Sequence, residues 1–152
     1  MNPSAKANPR AIDAILNADI VVVGPGDLYT SVLPNFLVDG MREALASTKA
    51  KRIYACNIMT KHGETNNFSA SDFAREILRY VGREGIDYLL VNKERPSEEK
   101  MTAYESEKAQ FVEPDDELAG LGVEVVYGEF LRESGDLLRH APEKLAKAIL
   151  EI

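Results

Sequence analysis

The residues best suited to chemistry lie in two polar stretches, each of which follows an apolar run. The first stretch, residues 24–31, reads Gly-Pro-Gly-Asp-Leu-Tyr-Thr-Ser and follows the run IVVV. Its two glycines permit a tight turn and let a ligand approach the main chain. A helix that begins near Asp27 would present free N–H groups to an anion, with the hydroxyl groups of Tyr29, Thr30 and Ser31 beside them. The alternative is a plain strand-to-helix turn in which Asp27 is the N-cap.

The second stretch, residues 57–72, is a long polar segment with several side chains able to bind a ligand. A plain connection between a strand and a helix needs only a few residues, and a longer loop at the edge of a sheet is often a binding loop. Its candidate residues are Asn57, Thr60, His62, Glu64, Thr65, Asn66 and Asn67. His62 and Glu64 are too few for a zinc site, and a lone histidine in such a loop is more often a surface residue than a ligand.

Carboxylates in the two stretches are candidate ligands for Mg²⁺. Glu64 and Asp72 could share this ion with a phosphate group, although Asp72 also suits the first turn of a helix. Asp27 is a further candidate ligand. A third apolar run ends at Asn92, whose amide could bind the same ligand, and the following Lys93 could pair with phosphate. The sequence contains no convincing catalytic triad, no Walker phosphate loop and no GxGxxG fingerprint. It therefore assigns no catalytic residue.

The elements that must position these residues alternate between strands and helices. Four apolar runs predict strands at 19–24, 52–56, 86–92 and 123–127. Helical periodicity predicts helices at 9–18, 37–47, 69–82 and 142–152. This order predicts an α/β fold with about four strands, in which a Rossmann-like parallel sheet is flanked by helices. Ligands of such sheets bind beyond the carboxyl ends of the strands, so the two polar stretches should form one rim.

A charge-rich segment, residues 93–118, interrupts this regular order. We interpret it as a solvated surface excursion with a helical turn within residues 98–110. A lid or a partner surface is the alternative.

Composition narrows the function classes. The length of 152 residues predicts a single domain over residues 1–152, which the order of strands and helices makes α/β, and a hydrophobic fraction of 45% is enough for a core. The formal net charge is −7. The negative charge argues against nucleic acid or an anionic membrane as a partner, because proteins that bind such surfaces use clustered lysine and arginine to contact the phosphate groups. The single cysteine, Cys56, is typical of a cytoplasmic protein, and we interpret it as a buried, unreactive thiol. No apolar run reaches the roughly 18 residues of a membrane span.

Four segments resemble one protein family in their order and spacing. They read NADIVVVGPGDLYTSVLPNFLVDGMREAL, YACNIMTKHGETNNFSASD, IDYLLVN and LRHAPEKLAKAI. The chain is similar to the bacterial gluconeogenesis factors, which resemble the archaeal 2-phospho-L-lactate transferases. The patterns GPGxxYTSxxPN and CNxMTxxGET are long and specific, and the resemblance covers nearly the whole chain.

The resemblance implies a Rossmann-like fold and a nucleotide-type ligand such as a nucleotide sugar, an NAD-like dinucleotide or a GDP derivative. The gluconeogenesis-factor branch implies a regulatory protein that supports central carbon metabolism, cell-wall precursor balance and cell shape. The transferase branch implies a Mg²⁺-dependent enzyme that passes a lactyl-phosphate group from a GDP-linked carrier to a deazaflavin alcohol. The positions that match the family's ligand contacts are Gly24, Gly26, Asp27, Tyr29, Thr30, Ser31, Asn57, Thr60, Gly63, Glu64 and Thr65. A third hypothesis is an inactive fold fragment that needs a partner.

The chain departs from the family in three ways. Asp27 stands where serine is common, and a carboxylate repels a phosphate unless a metal ion or ribose hydroxyls intervene. Ala141 replaces the usual aspartate, which removes an N-cap worth about 1 kcal/mol. Family members are about twice as long and begin with a glycine-rich turn. We therefore expect the C-terminal half of a larger domain, which forms a homo-oligomer or joins the missing N-terminal half through an exposed sheet edge or apolar face.

Overall fold

The computed structural model describes residues 5–132 and 138–152, and its centre is a four-stranded parallel sheet. The strands are β1 (Ile20–Val23), β2 (Lys51–Ala55), β3 (Tyr88–Asn92) and β4 (Glu124–Gly128). They lie in the sheet in the same order as in the sequence. The register aligns Val22 with Ile53 and Leu90 with Val126. Each predicted strand is confirmed to within two residues at either end, and because all pairs are parallel, the four carboxyl ends share one edge.

Five α-helices are present in the described residues. They are α1 (Pro9–Leu16), α2 (Met41–Ser47), α3 (Ala70–Val81), α4 (Glu98–Glu105) and α5 (Pro142–Glu151). None of these helices is long and apolar enough to cross a membrane. Together with the parallel sheet they confirm the predicted α/β, Rossmann-like arrangement.

Two helix starts follow from their capping residues. At α3, the Asp72 carboxylate accepts the Ser69 backbone N–H at 3.0 Å and the Ser69 hydroxyl at 3.1 Å. The sequence offers Ser69 or Ser71 as the cap of this helix, and the structure places Ser69 there. At α5, the cap position is Ala141, which makes no side-chain hydrogen bond to the helix, as the sequence indicated.

The helix predicted over 37–47 begins only at Met41. Before it lie a π-helical turn (Leu28–Val32) and a 3₁₀ turn (Leu33–Leu37). Gly40 then has a φ of +95°, a value that ends any right-handed helical path and that glycine tolerates best. Leu37, which recurs with Met41 and Leu45 at four-residue intervals in the sequence, is 46% exposed because the helix does not include it.

Successive side chains of each strand point to opposite faces of the sheet, and both faces are packed. On one face, Val23 and Tyr54 belong to a core with Leu45 of α2 and with Phe73 and Ile77 of α3. On the other face, a smaller core contains Ile53, Ala55, Leu90, Phe130 and Leu145 of α5. Cys56 is buried in the first core, where burial raises the pKa of its thiol to about 12. This agrees with an unreactive cysteine.

A third cluster shows that the charge-rich segment 93–118 is more than a solvated excursion. Tyr104 of α4 and Phe111 are buried together with Ile58, which follows β2. Leu131 and Leu138 complete this cluster. The segment after β3 and the segment before α5 are thereby packed against the second polar stretch.

Candidate functional site

The two polar stretches meet beyond the carboxyl ends of β1 and β2, which are neighbours in the sheet. The Gly26 N–H donates to Asn57 Oδ1 at 3.1 Å. The Thr30 hydroxyl lies 3.3 Å from a carboxylate oxygen of Glu64 and donates to it. The expected rim is therefore formed. The Gly26 amide, however, is bound to Asn57 and is not available to a ligand in this arrangement.

Lys61 lies at the centre of this junction, and sequence reasoning did not single it out. Its Nζ lies 2.6 Å from Asp27 Oδ2 and 2.7 Å from Glu64 Oε1. The hydrogen bonds to Asp27 and then to Glu64 raise the pKa of the Lys61 ammonium, so the side chain is a cation at neutral pH. The Asp27 carboxylate, which the sequence marks as unfavourable beside a phosphate, is therefore paired with a positive charge.

A cavity of about 510 Å³ opens beside this junction, a size typical of small-molecule and cofactor sites. Four of its lining residues are positions that match the family's ligand contacts, namely Gly26, Asp27, Asn57 and Thr60. Four more bring positive charge or imidazole groups, namely Lys61, His62, Arg139 and His140. His62 is exposed on its loop, as expected of a surface histidine, and yet borders this cavity.

His140 gives the cavity a neutral imidazole. Burial lowers the pKa of this ring, and a hydrogen bond to the backbone of Cys56 opposes that effect only in part. A neutral imidazole has one N–H donor and one acceptor nitrogen.

Arg139 and His140 were not predicted as site residues, although they lie in the motif LRHAPEKL. They reach the cavity because Leu131 and His140 form an antiparallel bridge and because the Ala141 N–H donates to the Phe130 carbonyl at 2.7 Å. The motif itself was the only signal in the sequence that could have found them.

Two predicted threonines shape the loop that carries Lys61. The Thr60 hydroxyl accepts the N–H of Gln110 at 2.8 Å, and the Thr65 hydroxyl accepts the N–H of Lys61 at 2.9 Å. Both threonines are buried. Gly63 has a φ of +82° and donates its N–H to Asn66 Oδ1 at 2.9 Å. These residues support the site through the backbone of the second stretch.

Four predicted residues of the first stretch do not line this cavity, namely Gly24, Tyr29, Thr30 and Ser31. The Tyr29 ring packs edge-on against Phe68 at 6.5 Å, and burial together with Glu76 raises the pKa of its hydroxyl. Gly24 and Ser31 line a second cavity of about 450 Å³. A Cβ on Gly24 would lie 3.0 Å from the Ala55 carbonyl oxygen, and the φ of Gly24 is +77°. Any other residue at this position would therefore crowd Ala55 and strain the backbone.

Asn92, which was predicted to bind the ligand, makes hydrogen bonds that join two segments of the chain. It is 3% exposed. Its Oδ1 accepts the Phe130 N–H at 2.9 Å, and its Nδ2 donates to the Glu94 carbonyl at 2.7 Å. Asn92 therefore joins the end of β3 to the segment that follows β4.

The predicted Mg²⁺ ligands do not form one site. Asp72 caps α3 and lies 2.8 Å from Arg75 Nη1, whereas Asp27 is bound to Lys61. Within residues 5–132 and 138–152, no group of three or more histidine, cysteine, aspartate or glutamate side chains could hold a metal ion. The arrangement does not fit a shared magnesium site, and we derive no step through a metal.

Comparison with known proteins gives consistent matches. The family model described as 2-phospho-L-lactate transferase CofD matches residues 1–131. The gluconeogenesis factor of Halalkalibacterium halodurans is 43% identical over 143 residues, which cover 93% of this chain and 44% of that relative. The gluconeogenesis factor of Bacillus subtilis is 38% identical over 145 residues, covering 95% of this chain and 46% of that relative.

A solved structure shares the fold. The crystal structure of a Bacillus halodurans protein superposes with a TM-score of 0.92 at 42% identity. The match covers 95% of this chain and 47% of that chain. This chain therefore spans about half the length of these relatives.

Proposed function

Because this chain belongs to the 2-phospho-L-lactate transferase CofD family, we propose that it binds a nucleotide sugar or a dinucleotide in the 510 Å³ cavity. In this proposal it is a regulatory protein of the gluconeogenesis-factor type. The observation that carries the proposal is the convergence of both polar stretches on one cavity around Lys61. The names of the curated relatives support a link to central carbon metabolism. Cell-wall precursor balance, cell shape and a cytoplasmic location belong to the same proposal.

The charges of the cavity suit a ligand that carries both phosphates and hydroxyl groups. Lys61 and Arg139 are cations that can donate to phosphate oxygens. The Asp27 carboxylate also lines the cavity, and ribose hydroxyls are suitable donors to it. Because Lys61 is held by Asp27 and by Glu64, which does not line the cavity, a bare phosphate must compete with both carboxylates. A ligand that also offers hydroxyls can bind the Asp27 carboxylate and the Lys61 ammonium together. We therefore expect nucleoside diphosphates to bind more tightly than inorganic pyrophosphate.

Isothermal titration calorimetry with UDP-sugars, NAD, GDP and pyrophosphate tests this proposal. The substitution Lys61→Ala should weaken binding at least about tenfold, which corresponds to about 1.4 kcal/mol. Lys147→Ala is the matched control, since Lys147 of α5 pairs with Glu151 at 3.7 Å and does not line the cavity. It should leave the affinity unchanged.

The full-length Bacillus subtilis relative is the second control in this experiment. If neither protein gives a signal at millimolar ligand, the proposed function is wrong. If only the relative binds, this half of its length is insufficient. Equal loss in both lysine variants would exclude a specific role for Lys61.

A second candidate function is a phospho-group transferase, favoured by the description of the matching family model. It needs Mg²⁺, and Asp27 and Asp72 are held by different basic side chains. The geometry therefore supports binding better than this transfer. Turnover of a GDP-linked lactyl-phosphate donor with a deazaflavin alcohol would establish the transferase instead. A chain without a cooperative melting transition would favour the inactive-fragment hypothesis.

A further inference from the structure

We propose that Gln110 is a positioning residue for the ligand site, because it holds both ends of the loop that carries Lys61 and Glu64. This loop, residues 60–67, is called the lysine loop below. Gln110 does not line the 510 Å³ cavity, so its effect on a ligand passes through the lysine loop. The expected effect on affinity rests on the proposed function, whereas the contacts that carry the inference involve no ligand.

Gln110 makes three hydrogen bonds to the lysine loop, two at its first residue and one at its last. The Gln110 carbonyl accepts the Thr60 N–H at 2.7 Å, and the Gln110 N–H donates to the Thr60 hydroxyl at 2.8 Å. The side-chain Oε1 of Gln110 accepts the Asn67 N–H at 3.0 Å. The two bonds to Thr60 use the backbone of Gln110. Only the bond to Asn67 depends on the glutamine side chain.

Between its two ends, the lysine loop is bonded to itself. The Lys61 carbonyl accepts the Glu64 N–H at 3.1 Å and the Thr65 N–H at 2.9 Å. The Lys61 N–H donates in turn to the Thr65 hydroxyl at 2.9 Å. These short-range bonds make the loop one unit, so a displacement at either end is passed to Lys61 and Glu64. The bonds to Gln110 therefore help to set where the Lys61 ammonium meets Asp27.

The backbone of Asn67 shows why this end of the loop needs a partner. Its φ is +60°, a left-handed conformation that few residues besides glycine adopt. Asn67 is also exposed, so packing does little to hold it in this conformation. The hydrogen bond from its N–H to Gln110 favours the left-handed conformation over an extended one. Without that bond, we expect the end of the lysine loop to relax.

Gln110 is a firm anchor because the residues around it are packed. Phe111 is 7% exposed and Val112 is 2% exposed. Phe111 forms an antiparallel bridge with Met59, and the Val112 N–H donates to the Ile58 carbonyl at 2.8 Å. Gln110 itself is exposed, so a substitution of its side chain should leave this packing intact.

Two substitutions of Gln110 test the contribution of its side chain. Gln110→Leu removes the acceptor at nearly the same size, whereas Gln110→Glu keeps an acceptor oxygen. In calorimetric titrations with UDP-glucose, Gln110→Leu should weaken binding about fivefold, as expected for the loss of one hydrogen bond. Gln110→Glu should restore most of this affinity. If both variants bind as weakly as each other, or both as tightly as the parent, the proposal is overturned.

Thr102→Val is the matched control for this experiment. It removes another exposed hydrogen bond of the same charge-rich segment, in which the Thr102 hydroxyl donates to the Glu98 carbonyl at 3.0 Å. This bond lies within α4 and does not reach the lysine loop. The affinity for UDP-glucose should therefore be unchanged in Thr102→Val.

A double-mutant cycle with Lys61→Ala tests whether Gln110 acts through the lysine loop. If it does, Gln110→Leu should change the affinity by less than about twofold once Lys61 has been removed, because coupled residues are not additive. Fully additive losses would contradict a positioning role.

Hydrogen–deuterium exchange tests the same role without a ligand. The Asn67 amide should exchange at least about fivefold faster in Gln110→Leu than in the parent, while the urea midpoint of unfolding changes little. Gln110→Glu should restore the slow exchange. Unchanged exchange in Gln110→Leu would overturn the proposal. If UDP-glucose does not bind the parent chain, that result counts against the proposed function alone, and the exchange rates still decide the role of Gln110.

Discussion

Tyr54 on β2 is an unusual residue of the core because its hydroxyl is buried without a hydrogen-bond partner in the described structure. Its side chain is 1% exposed, and burial holds the pKa of the hydroxyl well above its usual range. A buried polar group without a partner costs about 1–3 kcal/mol. The ring therefore stabilises the core while the hydroxyl opposes that effect.

Tyr54→Phe should accordingly raise the free energy of unfolding by about 1 kcal/mol, because it removes the unpaired hydroxyl and keeps the ring. Urea denaturation measures this change. Tyr127→Phe on the exposed side of β4 is the control and should be neutral. A loss of stability in Tyr54→Phe would mean that the hydroxyl has a partner after all.

Individual site residues were predictable where they follow a strand directly. Asn57 and Asp27 were found in this way, because a parallel sheet brings the ends of neighbouring strands together. Lys61 was not found, because only the fold shows that its side chain turns towards Asp27 and Glu64. Arg139 and His140 were missed since they approach the cavity through the packing of a distant segment, which spacing along the chain does not reveal.

At the scale of elements, the four strands were predictable because long β-branched runs have few alternatives. The segment from Leu28 to Gly40 was not, because its apolar spacing fits a helix while Pro34 and Gly40 divide it into shorter turns. The backbone angles of this segment determine that it forms short turns, and these angles cannot be predicted from hydrophobic periodicity.

Helix α5 provides a prediction at this scale. Ala141 occupies its N-cap with an extended backbone and makes no capping bond. Ala141→Ser should stabilise the protein by roughly 0.5–1 kcal/mol, because a serine oxygen can accept a free N–H of the first turn. Thermal and urea unfolding measure the difference.

The control for this substitution is Ala146→Ser, at an exposed position in the middle of α5. There serine has the lower helix propensity, so the variant should be slightly less stable than the parent. A gain of stability at both positions would contradict the capping explanation.

At the scale of the whole molecule, His140 couples unfolding to pH. Burial lowers the pKa of His140 in the folded chain below its ordinary value of 6.5. As the pH falls, the unfolded chain therefore binds this proton first. The neutral His140 imidazole contributes fully to the free energy of unfolding above the ordinary histidine pKa. This contribution is lost as the pH falls towards the lower pKa of His140 in the folded chain, with a slope of at most about 1.4 kcal/mol per pH unit.

His140→Asn should flatten this dependence, and urea denaturation between pH 5 and pH 7.5 measures the slope. If His140→Asn and the parent show the same slope, the imidazole is not buried as described.

Pro25 and Gly26 border both cavities, so one short turn serves as a common wall between two compartments. If a ligand on one side shifts this turn, thermodynamic reciprocity requires that an occupant of the other side changes the affinity for that ligand by the same factor. The effect of a substitution in the turn can therefore be ascribed to one compartment only once the occupancies of both have been measured.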